Sequence, residues 1–177
     1  MYYSHNVTLQ NSDLPNYTRV SLKSGMLSSI AYFTHVFVGQ ILWKEYNSIT
    51  MDISSLTAVG APNAELLNII ATVYGTCFLL FIIGLTVKAF KEYCIITKIG
   101  YIIFLIMAVT TVVGFNLFPL TSDKTEMNFQ NMMHIVVTVL VVFTTISSFF
   151  FIGFGYLKKE GLRPLHFHLR ITGAIIL

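Results

Sequence analysis

Four stretches of this chain, 24–43, 66–87, 99–118 and 131–157, each run for twenty residues or more without one Lys, Arg, Asp or Glu. About 20 apolar residues in a helix cross the ~30 Å hydrocarbon core of a bilayer. Apolar residues make up 55% of the 177 residues and charged ones only 11%, against about 25% charged in a soluble domain. A chain so poor in charge cannot cover a water-facing surface. The expected fold is therefore all-α, a polytopic transmembrane helix bundle over residues 24–177, preceded by a polar N-terminal segment, 1–23. Asp13 and the length of that polar stretch make it a poor signal peptide, so the first apolar run is read as a retained helix. A fifth apolar run opens at Ile171 and spans only 171–177, about a third of a crossing. It is read as the start of a fifth span in a chain cut short, because a half-inserted helix end leaves backbone groups unpaired in lipid.

Lys and Arg favour the cytoplasmic side of a membrane. With the N-terminus inside, the loops 88–98 and 158–170 are cytoplasmic and the loops 44–65 and 119–130 are outside. Arg19, Lys23, Lys88, Lys91, Lys98, Lys158, Lys159, Arg163 and Arg170 then lie inside, and only Lys44 and Lys124 lie outside. Glu45, Asp52, Glu65, Asp123 and Glu126 fall outside. The same topology puts the sequons Asn6-Val7-Thr8 and Asn16-Tyr17-Thr18 in the cytoplasm, away from glycosylation. Cys77 and Cys94 sit in or beside apolar runs and read as small packing residues.

Each span carries one small or polar stripe. Ser28, Tyr32, His35 and Gly39 share a face of the first; Asn68, Thr72 and Gly75 of the second. Met107, Thr111 and Gly114 mark the third, and His134, Thr138, Thr145 and Ser148 the fourth. Small and hydroxyl residues let membrane helices approach and hydrogen-bond one another. The histidines differ, because ionisable groups at membrane depth are costly and usually face the bundle or a cavity. His35 falls near mid-membrane and His134 in the first turn of the fourth span, while His166 and His168 belong to the opposite side. That separation excludes a metal site gathering the histidines, and neither metal nor cofactor is expected.

The outer face collects Ser54, Asp123 and His134, the ingredients of nucleophilic or general acid–base chemistry. Asp52, Asn68 and Asn116, with His35 from below, are candidate ligand-binding residues. No HExxH, CxxC, GxSxG or glycine-rich phosphate loop is present.

The two outer loops carry a resemblance. Ile53-Ser54, Leu56 and Gly60-Ala61-Pro62 ahead of an apolar helix, then Phe118-Pro119, Asp123 and His134 heading the next, resemble the domain-of-unknown-function 998 family of bacterial integral membrane proteins. The layout is more distantly similar to the Frag1/DRAM type of multi-spanning proteins. The resemblance runs from about Ser24 to the end of the chain and implies about six helices in full-length members. Where the family pattern has an acidic residue after the serine and a glycine after the leucine, this chain has Ser55 and Thr57. Asp52, one turn away, is the carboxylate left to stand in.

Three function classes remain. The first is a non-enzymatic bundle of the cell membrane, whose outer loops bind a lipid, a small ligand or a membrane-protein partner. The second is a membrane-embedded hydrolase using Asp123, His134 and Ser54. The third is a transporter or transporter subunit with His35 on a proton path, although no inverted repeat shows. The lipid bilayer is the expected partner, and nucleic acid is not.

Overall fold

The computed structural model describes residues 15–176; the sequon at Asn6 lies outside them. Five α-helices follow one another: α1 (Asn16–Leu42), α2 (Ala64–Glu92), α3 (Ile95–Leu117), α4 (Phe129–Tyr156) and α5 (Arg163–Ile176). Short 3-10 helices at Ile53–Thr57 and Glu160–Leu162 punctuate two of the connections, and the described residues contain no strand. The first four helices are each long and apolar enough to cross a membrane. Their mean hydropathy is 1.3 for α1 and 2.1 to 2.5 for the others, so α1 is the most polar of the four.

Two boundaries differ from the sequence expectation. α1 starts at Asn16, ahead of the apolar run that opens at Ser24. Its 27 residues make it about 40 Å long, so its polar beginning projects past the hydrocarbon, where water or headgroups replace lipid tails. Packing holds that projection: Ser21 Oγ donates to the Phe81 carbonyl at 2.8 Å, and Lys91 sits 4.3 Å from the Tyr17 ring centre. The sequon at Asn16 is thereby the first turn of α1. The second difference is α5, which begins at Arg163 rather than at Ile171. Its first half is polar and was invisible as an apolar run.

Each helix packs chiefly on its neighbours in sequence, α1 on α2, α2 on α3, α3 on α4 and α4 on α5. Successive helices are antiparallel. Ser21 and Ser28 of α1 bond to the Phe81 and Tyr74 carbonyls of α2, while Gly155 at the end of α4 lies against Thr97 at the start of α3. A Cβ added to Gly155 would overlap the Thr97 side chain, so the α3–α4 crossing depends on the missing methyl. The expected stripes are buried at Ser28, His35, Gly39, Gly75, Met107, Gly114, His134 and Ser148. Asn68 and Thr72 are exposed instead, because α2 turns Leu67, Gly75 and Ile82 inward.

The bundle therefore has two ends. One carries the 43–63 and 118–128 connections, and is called the loop end. The other carries the start of α1, the α2–α3 corner and the α4–α5 corner. There Tyr101 and Tyr156 share a hydroxyl–hydroxyl hydrogen bond of 2.7 Å, with the Tyr93 ring against both. Lys159 lies 4.6 Å over the Tyr93 ring, and burial pushes the Tyr93 phenol up to about 12. Cys94 and Cys77 are free thiols.

Candidate functional site

The loop end is built in two halves that lock together. The first half is the connection from α1 to α2. Gly39, near the end of α1, has no Cβ, and Leu56 fills that space; an added Cβ would come within 2.6 Å of Leu56 Cδ1. Leu56 is fully buried with Tyr46 and Leu67, and Val38, Trp43, Met51 and Ile70 pack around them. This satellite core seats the 3-10 helix Ile53–Thr57 on top of α1 and α2. Gly60 then takes φ +82°, a left-handed conformation that a side chain resists, and turns the chain through Ala61-Pro62 into α2.

The second half is the connection from α3 to α4, and one buried amide organises it. Asn131, 1% exposed in the first turn of α4, accepts hydrogen bonds from the Thr121 N–H and hydroxyl, each at 3.0 Å. Its Nδ2 donates to the carbonyls of Asp123 (2.8 Å) and Glu126 (2.9 Å). Its own N–H is capped by the Asn128 side chain at 2.9 Å. Gln130 reaches the Pro119 carbonyl at 3.1 Å. His134 Nδ1 lies 2.8 Å from the Phe118 carbonyl at the C-cap of α3, with the ring 5.0 Å from that of Phe115. A carbonyl can only accept, so that nitrogen carries the proton.

Two links join the halves. The Val59 N–H donates to the Leu120 carbonyl at 2.8 Å. Lys124 Nζ donates to Asp52 Oδ1 at 2.6 Å and to Ser55 Oγ at 2.7 Å. Asp52 Oδ2 meanwhile accepts from Ser54 Oγ at 2.7 Å and Ser55 Oγ at 2.9 Å. Partial burial pulls the Asp52 carboxyl upward, but the bonds from Lys124, Ser54 and Ser55 outweigh it and hold Asp52 well below the usual carboxylate range. Asp123 is fully exposed, and the Thr125 hydroxyl (2.6 Å) and N–H (2.9 Å) lower it as well.

Between the halves lies a cleft of about 160 Å³, walled by Trp43, Ser55, Gly60, Pro62, Ser122 and Lys124 among others. An ammonium has three N–H donors. Lys124 commits two of them to Asp52 and Ser55 and keeps one.

The candidate residues of the sequence reading are thus distributed unevenly. Asp52 and Ser54 come together. Among the described residues no hydrogen bond joins Ser54, Asp123 and His134 to one another; each is engaged elsewhere, Asp123 in a turn with Thr125 and His134 at the end of α3. Asn116 is exposed and turns its amide onto its own helix, at 2.6 Å from the Val112 carbonyl. Asn68 is exposed on α2. His35 is 5% exposed with its Nε2 buried and unpartnered, and it lines neither this cleft nor the groove at the opposite end. Among the described residues no three His, Cys, Asp or Glu side chains gather to hold a metal. Lys124, Ser55 and Asn131 do the joining, and none of them is among the candidate site residues that the sequence offers. The signal for Asn131 was present: an amide in the first turn of an apolar helix must find partners or cost free energy.

Four apolar membrane-length helices and their connecting loops define a multi-pass integral membrane protein. The family described as "Protein of unknown function (DUF998)" matches residues 26–177, and the chain belongs to that family. No curated protein and no solved structure matches.

Proposed function

We propose that this protein is a non-catalytic membrane bundle whose two loop-end connections form one preformed recognition head. The occupant is a small ligand, or the exposed end of a lipid or membrane-protein partner, that offers a hydrogen-bond acceptor to Lys124. One observation carries the reading: the Lys124–Asp52–Ser55 link closes the two connections around a mostly apolar cleft that Lys124 lines with one donor still uncommitted. At about 160 Å³ the cleft suits a single chemical group, since drug-sized ligands occupy ~300–1,000 Å³. The head lies outside and the N-terminus inside the cell membrane on this reading. The charge supports it, because Lys44 and Lys124 are the only basic residues at the loop end.

Binding is favoured over hydrolysis because the acceptor at the Ser54 hydroxyl is Asp52, whose carboxyl is held well below the usual range and is too weak a base to activate a serine. The test uses the purified full chain. Native mass spectrometry of wild type should show a retained small molecule that Ser122→Phe, which fills the cleft from an exposed position, no longer carries. Identical retention in both, or none in either, would remove the cleft as a binding site. Fluorophosphonate should leave Ser54 unlabelled; labelling abolished by Ser54→Ala would restore the hydrolase.

A further inference from the structure

At the end opposite the head, α5 doubles back on α4. Gly153 of α4 faces Arg170 and His166, and Gly173 of α5 faces Phe149 and Phe150. The two helices touch at these glycines and leave a groove of about 320 Å³, lined by Phe150, His166, Phe167, Arg170, Ile171 and Ala174. Its wall is mostly apolar, apart from one cation and one imidazole.

Arg170 has a defined place but, among the described residues, no counter-charge. Its aliphatic stem lies along Gly153, and its guanidinium sits 4.9 Å over the Phe154 ring. Among the described residues it forms no ion pair, and α5 contains no acidic residue. At the same end of the bundle, the Glu92 carboxylate is shared by Lys88 (4.0 Å) and Lys159 (3.9 Å). His166 Nδ1 is occupied by the Gly153 carbonyl at 3.0 Å, which fixes the ring at the groove. Arg170 is the last charged residue before the apolar run that opens at Ile171, the kind of position at which a headgroup gives way to acyl chains. Lys88, Lys91, Lys98, Lys158, Lys159 and Arg163 give this end an excess of positive charge.

We infer that the α4–α5 groove is a binding site for one anionic phospholipid, with the phosphate on Arg170 and an acyl chain along Phe150, Ile171 and Ala174. The charge selects the headgroup and the apolar wall selects the tail. An arginine fork matches phosphate geometry, and its stem can lie along apolar surface while the head stays at the interface. The site is separate from the loop-end head and does not depend on it.

The experiment titrates the detergent-purified full chain with phosphatidylglycerol, phosphatidylcholine or inorganic phosphate, following lipid adducts by native mass spectrometry and Tm in parallel. Wild type should retain phosphatidylglycerol in preference to phosphatidylcholine and ignore phosphate alone. Arg170→Gln should weaken phosphatidylglycerol about fivefold, the effect of one cation at a headgroup. Ala174→Phe, which fills the tail path and leaves every charge, should weaken both lipids. Lys98→Gln, which removes one charge from the same end but lies outside the groove, should weaken phosphatidylglycerol less than Arg170→Gln does. Equal retention of the two lipids, a response to phosphate alone, or a loss in Lys98→Gln matching that in Arg170→Gln would each overturn the assignment. So would unchanged binding in Arg170→Gln or Ala174→Phe. A dimer that Ala174→Phe dissociates, with no lipid response, would give the groove to a second copy.

Discussion

The two ends of this bundle solve the same problem with different materials. At the loop end two connections must be held against each other, and polar groups do it: Asn131 gathers backbone groups of its own connection, and Lys124 clamps Asp52 and Ser55 of the other. At the opposite end Tyr93, Tyr101 and Tyr156 pack ring to ring, with Ala89 and Ile152 behind them and Thr97 pressed onto Gly155. Directional bonds suit the first case, because the connections lie outside the hydrocarbon and must take one shape to form a cleft. Shape and rings suit the second, where helices meet at short corners and little backbone is left unpaired.

That contrast predicts a graded response to substitution. The largest effect is expected at Asn131. Asn131→Leu strands the Thr121 N–H and the Glu126 carbonyl and leaves the Asp123 carbonyl only the Thr121 hydroxyl; an unsatisfied buried group costs about 1–3 kcal/mol, offset in part by water entering the opened loop. A loss of about 3 kcal/mol in reversible unfolding from mild detergent is expected, with the tyrosine end keeping its near-UV circular dichroism. If the aromatic signal collapses together with the loops, the two ends are not separable.

Next comes Gly155→Ala, which drives a methyl into Thr97 and should cost roughly 2 kcal/mol by overpacking. Because the Thr97 backbone nitrogen also lies 2.9 Å from the added carbon, Thr97→Ala should rescue it only partly. Full rescue in a double-mutant cycle would show the helices yielding, and the end would be softer than its packing suggests.

The smallest effect belongs to the Asp52–Lys124 pair, whose side chains are 49% and 41% exposed. Solvent screening limits such a pair to about 1 kcal/mol or less. Its sign is fixed by the direction of the Asp52 shift. A carboxyl held below its unfolded value stabilises the fold fully above about pH 4 and loses that contribution as pH falls further. Wild type should therefore exceed Asp52→Asn in stability at pH 7, and the difference should shrink steadily below about pH 4. A gap that stays constant down to pH 2 would mean that the charge contributes nothing.

The four spans were legible because lipid tolerates no ambiguity: uncharged runs at 24–43, 66–87, 99–118 and 131–157 cannot be anything but buried or membrane-borne. Where lipid ends, the pattern fades. Residues 16–23 at the start of α1 and 163–170 at the start of α5 are polar helix, stabilised by neighbours that no local pattern reveals. The site was legible in part. The motif residues Ser54, Gly60, Pro62, Asp123 and His134 do fall at the loop end, yet their pairings could not be read, because Asp52 and Lys124 meet across 72 residues. Asp123 and His134 looked like a catalytic pair because they are titratable and close in sequence. The residue between them that ties the connection together, Asn131, is not titratable at all.

The same 72-residue span has a consequence for how the molecule is made. The α1–α2 hairpin carries Asp52, Ser55 and Val59 but none of the groups they bond to across the head. Lys124 and Leu120 emerge only with the second hairpin, so the clamp closes after both are in place. The finished head reports that both hairpins are in place, in two hydrogen-bonded links.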